Sequence, residues 1–139
     1  MSRSNYSEDI EEWALIRWRG AVNSAIKGKR GQALLAEMVQ ALDAMPVKCL
    51  IANKLISEKG EVCALGAVAQ HKSLKVDNVD PENSEEVAAI FDIANALACE
   101  IAYMNDEHYG DNPEARWKRM RGWAESCLVK SDRPHTPKP

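Results

Sequence analysis

From Ser84 to Met104 the chain reads SEEVAAIFDIANALACEIAYM, with no proline or glycine. Val87, Ile90, Phe91, Ala94, Leu97, Ala98 and Ile101 recur at intervals of three and four. That spacing lines them along one side of a helix turning once every 3.6 residues. The pattern predicts one long helix ending near Met104, and a mainly α fold built around it.

The remaining segments read as partners for that helix. Ser7 is an N-cap candidate, and Glu8, Asp9, Glu11 and Glu12 suit the positive end of a helix dipole, so a first helix is expected from Ser7 to about Lys27. Ile10, Ala14, Leu15, Trp18, Ala21, Val22, Ala25 and Ile26 share one arc of this helix and are expected to face the core. Trp13, Ile16 and Gly20 fall on a second, narrower face close to Arg17, Asn23 and Ser24. After the glycines of KGKRGQ, the run QALLAEMVQALDAMP places Leu34, Leu35, Met38, Val39 and Leu42 on one side of a second helix, which Met45-Pro46 ends. The short gap between the two predicts an antiparallel helical hairpin. VKCLIANKLIS and the residues before Cys63 flank the turn SEKGE, with Gly60 placed for positive φ, which predicts a minor two-stranded β-hairpin near residues 47–63. A short helix follows from Cys63 to about His71. Asn112 and Pro113 open a last helix through about Leu128, with Trp117, Met120, Ala124 and Cys127 inward. Residues 1–129 therefore read as one compact helical domain, and KSDRPHTPKP, residues 130–139, as a disordered tail. The expected core includes Trp18, Val22, Leu34, Met38, Leu42, Leu65, Phe91, Leu97, Ile101 and Trp117.

A formal charge of −3 and a pI near 5.6 exclude a globally basic nucleic-acid binder, so any polyanion site must be a local patch. One such patch is visible. No acidic residue lies between Glu12 and Glu37, while Arg17, Arg19, Lys27, Lys29 and Arg30 all fall there. GKRGQALL also opens a helix, where free N–H groups and the dipole favour an anion, although it lacks the P-loop pattern. A second basic cluster, Arg116, Lys118, Arg119 and Arg121 around Trp117 and Trp123, combines cations with aromatic faces. Catalytic signals are thin. Cys49, Cys63, Cys99 and Cys127 form no C-x-x-C pair and read as reduced, buried thiols, and His71, His108 and His135 lack metal-site spacing. Cys63, His71 and Asp106 form a conceivable nucleophile, base and orienter, and Asp106, Glu107 and Asp111 near His108 a conceivable metal site. Folding roles account for these residues more simply, and neither a cofactor nor a metal is expected. The chain contains neither a signal-peptide apolar core nor an apolar run long enough to span a bilayer.

Two further stretches invite comparison: EVCALGAVA at residues 61–69 and MNDE at residues 104–107. The small residues of the first suit close packing on the long helix, and Asn105 and Asp106 suit that helix's end. The alternative is a ligand or partner site where the two stretches meet.

The succession IRWRGAVNSAIKGKRGQALLAEMVQALDAMP, GEVCALGAVA and NPEARWKRMRGW resembles a set of small proteins encoded by tailed phages and prophages, over almost all of residues 13–124. The resemblance implies a phage origin and an accessory role in the host cytoplasm, with no catalytic residues to carry over. Combined with the thin catalytic signal, it leads to the expectation of a non-enzymatic protein that binds a host protein or nucleoprotein complex and inhibits or redirects it. An anti-defence, anti-CRISPR-like inhibitor is one form of this. Its contact surface would be Trp13, Ile16, Arg17, Arg19, Lys27, Lys29 and Arg30, with a second patch at Arg116, Lys118, Arg119, Arg121 and Trp123. The alternatives are a nucleic-acid-binding regulator using the same basic residues, and a protein that sequesters a nucleotide or small molecule at the Gly31 helix start.

Overall fold

The computed structural model describes Arg3, residues 12–108 and residues 110–129. Among these residues the chain forms α1 (Glu12–Lys27), α2 (Lys29–Ala44), α3 (Ala64–Lys72), α4 (Ser84–Phe91), α5 (Asn95–Asp106) and α6 (Pro113–Ser126). The Ser7 cap, Ile10 and the tail at residues 130–139 lie outside the described residues.

The α1–α2 hairpin is tighter than the sequence predicts. KGKRG is not an open turn: Gly28 alone separates the helices, and α2 already begins at Lys29. Gly31 therefore sits inside α2, pressed on the end of α1, where an added Cβ would lie 1.9 Å from the Ala25 carbonyl oxygen. Gln32 clasps this corner, its side-chain amide donating to the carbonyls of Ile26 at 2.7 Å and Cys127 at 2.9 Å. Its oxygen accepts the Val129 N–H at 2.8 Å, tying the end of the described chain to the hairpin.

The stretch from Ser84 to Met104 is two helices, not one. Asp92 takes the left-handed conformation, φ 56° and ψ 51°, and the chain bends by 104° between α4 and α5. Aspartate visits this region more readily than most residues because its short polar side chain can bond locally. The Asp92 and Ile93 N–H groups close the end of α4 on the Ala88 and Ala89 carbonyls. Phe91 and Val87 from one helix and Leu97 and Ile101 from the other thereby enter the same core. Spacing by three and four is kept across the corner, so periodicity alone could not reveal it.

Residues 47–63 also depart from expectation. No strand forms among the described residues; one isolated antiparallel bridge joins Ile56 and Val62 around the turn at Gly60, whose φ is 84°. Leu50 and Leu55 are buried, and Asn53 has a φ of 70°, which interrupts an extended run between them. Backbone pairing is spread over several partners: Leu50 N–H donates to Pro113 O, Ile51 N–H to Val62 O, and Cys63 N–H to Leu55 O. The segment is an irregular wall rather than a ladder.

The core lies between α2, α3, α5 and α6, with α3 at its centre, buried from Ala64 to Ala69. Gly66 permits this, since a Cβ there would lie 1.9 Å from the Leu55 carbonyl oxygen. Val22, Leu34, Met38, Leu42, Leu65, Phe91, Leu97 and Ile101 are buried as expected, whereas Trp18 and Trp117 are only half-buried. Trp117 packs against the core, donates its indole N–H to Leu42 O at 3.1 Å and carries Lys48 over its ring. Leu15 and Ala21 are exposed, because α1 lies outside the core and only a narrow strip around Val22 is covered. The last helix begins as expected, with Asn112 accepting the Ala115 N–H at 2.7 Å and Pro113 in its first turn. None of the four cysteines is in a disulfide; Cys63 and Cys99 are buried as expected, whereas Cys49 and Cys127, near the surface ends of their segments, are only half-buried.

Close approach and exposure separate the glycines. Gly31→Ala and Gly66→Ala each force a methyl into backbone and are expected to destabilise by roughly 1–3 kcal/mol. Gly20→Ala, on the open side of α1 with nothing within 4 Å of the new methyl, should stabilise by about 0.5–1 kcal/mol. Urea unfolding of the three variants checks both signs.

Candidate functional site

The EVCALGAVA and Asn-Asp stretches do meet, through a contact that reassigns Asn105. Asn105 is not a left-handed residue beyond the helix end but lies inside α5, fully buried. Its side-chain oxygen accepts the Ala64 N–H at 3.1 Å, satisfying a first-turn amide of α3. Its side-chain amide donates to Ile51 O at 3.0 Å and to Asp106 Oδ1 at 2.8 Å. From the other side Arg116 donates to the Asn105 carbonyl and to Leu50 O, both at 3.0 Å. Asn105 thus ties α5, α3, the irregular wall and α6 to one point.

Asp106 sits beside it and is held as firmly. Oδ1 accepts the Asn53 N–H at 3.0 Å, and the guanidinium of Arg3 grips both carboxylate oxygens, Nη2 donating to Oδ1 at 2.8 Å and Nε to Oδ2. The Arg3 and Asp106 side chains are both almost fully shielded from solvent. Burial alone would push the Asp106 carboxyl up, but the hydrogen bonds and charge of Arg3, with the Asn53 and Asn105 donors, hold it below the usual carboxylate range. Arg3 Nη1 also reaches the Cys63 sulfur at 3.6 Å. Cys63 caps α3, its Sγ accepting the Gly66 N–H at 3.4 Å.

The grouping of Cys63, His71 and Asp106 is not assembled. Asp106 and Cys63 share Arg3, but His71 is exposed at the far end of α3, about 12 Å along the helix axis. Asp111 is taken up by Arg119, which also donates to Met104 O, and among the described residues no cluster of His, Cys, Asp or Glu is arranged to hold a metal.

The first basic surface is partly open. Trp13 is 70% exposed and Ile16 54%, on the same outward side of α1 as Arg17 and Lys27, which are also exposed. Arg19 turns instead to buried Glu100, at 2.9 and 3.3 Å, and holds α1 on α5. Lys29 and Arg30 are exposed at the start of α2, with Arg30 at 3.1 Å from Asp92 in an exposed ion pair. A recess of about 320 Å³ opens there between Ser24, Gly28, Lys29, Arg30 and Ala94, and Gly28 gives the helix no side-chain cap.

The second cluster is largely committed within the chain. Arg116 serves the Asn105 centre, Arg119 pairs with Asp111, and Arg121 pairs with Asp43 at 3.0 Å and Glu125 at 2.7 Å. Lys118 is exposed, and Trp123 is half-buried against the core. Arg3 and Asn53, which complete the Asn105–Asp106 centre, are residues that sequence reasoning passed over.

Comparison of the chain with protein-family models, with curated proteins and with solved structures gives no match.

The folded-state depression of Asp106 sets a direction for acid. As pH falls the unfolded chain takes up this proton first, so the stabilisation from Asp106 is complete above about pH 5 and is lost as pH drops through the unfolded value toward the lower folded one. Asp106→Asn, which removes the charge and leaves Arg3 buried without its counter-ion, is expected to cost about 3–5 kcal/mol at neutral pH. The gap to wild type should stay constant down to about pH 5 and close in more acidic solution. Urea unfolding of both proteins across this range is the measurement.

Proposed function

We propose that this chain is a non-enzymatic binding protein that docks the outer face of α1 and the start of α2 onto a host protein, as expected of a phage accessory protein that inhibits or redirects a host factor. An anti-defence inhibitor is the form this reading favours. The observation that carries it is the exposed pair Trp13 and Ile16, set among Arg17, Lys27 and Lys29 on a stretch without carboxylates. Interface centres favour Trp and Arg anchors with an apolar middle and a charged rim. Gly20, between the anchors and Lys27, adds no side chain to this face, which is open around it. The matching partner surface is an apolar groove rimmed by aspartate and glutamate.

A nucleic-acid partner gains less support, because Arg116, Arg119 and Arg121 already serve carboxylates and carbonyls of their own chain. The small-anion reading keeps one specific observation in its favour, the recess at the uncapped start of α2.

Tagged protein recovered from host cells after nuclease treatment, compared with Trp13→Ala/Ile16→Ala and Lys29→Glu/Arg30→Glu, tests the reading. Both double variants are expected to lose the same co-purifying protein by about tenfold or more. Their melting temperatures should stay near that of wild type, since the Arg30–Asp92 pair is exposed on both sides and such pairs contribute about 0–1 kcal/mol. Undiminished recovery with both variants rejects the α1 surface. A phosphate titration that heats wild type but not Lys29→Glu/Arg30→Glu would instead favour the small-anion reading.

A further inference from the structure

We propose that Asn53, Cys63, Asn105 and Asp106 form a receptor for a guanidinium group, that Arg3 is its built-in occupant, and that another guanidinium compound or arginine side chain can take its place.

The recess is built without Arg3. Asp106 Oδ1 is already held by the Asn53 N–H and the Asn105 amide, and Asn105 is itself pinned by the Ala64 N–H, the Ile51 carbonyl and Arg116. All of these donors and acceptors lie between Ile51 and Arg116, in the irregular wall and the helices around it. The carboxylate therefore keeps its orientation when the occupant leaves, and a preorganised, shielded carboxylate is what a planar cation needs for two parallel hydrogen bonds.

The site also distinguishes guanidinium from ammonium. Arg3 uses Nε and Nη2 on the two carboxylate oxygens and directs Nη1 at the Cys63 sulfur, so three donors of one plane meet three acceptors. The sulfur is oriented for this by the Gly66 N–H. An ammonium group is a point charge whose donors do not lie in one plane, so it cannot satisfy the same three directions.

The occupant, finally, is exchangeable in kind. The hydrogen bonds of Arg3 are made by its guanidinium, and it reaches Asp106 across 103 residues of sequence. Removing it strands a buried carboxylate, and any other guanidinium restores the same bonds. Arg3 is favoured because it belongs to the same chain, so that its binding is intramolecular. A partner's arginine delivered within a larger interface overcomes that advantage, and exchange uncovers the Cys63 thiol.

The test uses Arg3→Ala in the full chain, with Cys49 and Cys127 replaced by Ser so that the half-buried thiols do not compete for reagent. Methylguanidinium chloride, titrated from about one to a few tens of millimolar, is the probe. Arg3→Ala is expected to lower the melting temperature and to raise iodoacetamide labelling of Cys63, read by peptide mass spectrometry, by about tenfold or more. Methylguanidinium should recover more than half of the melting-temperature loss and suppress the labelling, while methylammonium chloride does neither and Arg3→Lys fails to substitute. Arg3→Ala/Asp106→Asn should not respond. If Arg3→Ala is unfolded at rest, refolding with methylguanidinium but not methylammonium is the expected result. Equal effects of the two salts, or no effect of either, overturn the proposal.

Discussion

A single buried amide organises this fold. Asn105 has no exposed surface, yet its side chain carries three hydrogen bonds and its carbonyl a fourth, reaching α3, the irregular wall, Asp106 and α6. A buried polar group is costly unless satisfied, and a fully satisfied one specifies its neighbours' positions in a way that apolar contacts cannot. Leucine and valine in this core can slide by a fraction of an ångström with little penalty. The Ala64 amide and the Ile51 carbonyl cannot, because each must meet Asn105 at hydrogen-bond distance. Aspartate at this position would lose the donor needed by Ile51 O, and leucine would leave donor and acceptor unpaired together.

Around that point the molecule divides its charges between two duties. Arg3, Arg19, Arg116 and Arg119 face inward or across helix contacts, where each meets a carboxylate or carbonyl from outside its own helix. Arg17, Lys27 and Lys29 face outward. A net charge of −3 conceals this sorting, since most of the inward cations are neutralised locally. The outward cations and the neighbouring exposed Trp13 are what a partner would meet.

Much of the helical layout was legible in sequence because capping is local: Asn112 with Pro113, and the glycine at 60, act within a few residues and can be read there. The core stripes of α2 and α3 were legible for the same reason. What escaped were features decided by distant residues. The corner at Asp92 leaves the apolar spacing intact, so a helix pattern from Ser84 to Met104 fits both a straight rod and a right-angled pair. The apolar run near Leu50 and Leu55 suggested strands, but Pro113 and Val62 took its backbone groups singly. The second basic cluster looked like a surface because two of its three counter-charges, Asp43 and Asp111, lie outside α6. Arg3 carried no signal at all, since only the folded chain brings it to Asp106.

The clasp at Gln32 and the grip of Arg3 on Asp106 bear on how the chain comes off the ribosome. Contacts that close such long loops bear the greatest closure entropy and form late. The Leu50 and Asn105 carbonyls wait for Arg116, and the Gln32 side chain waits for Val129. α1 and α2 can form as soon as they emerge, but the apolar face of α2 stays uncovered until α3 and α6 have been made. A nascent chain of this protein therefore carries the apolar face of α2 exposed until α6 has left the ribosome.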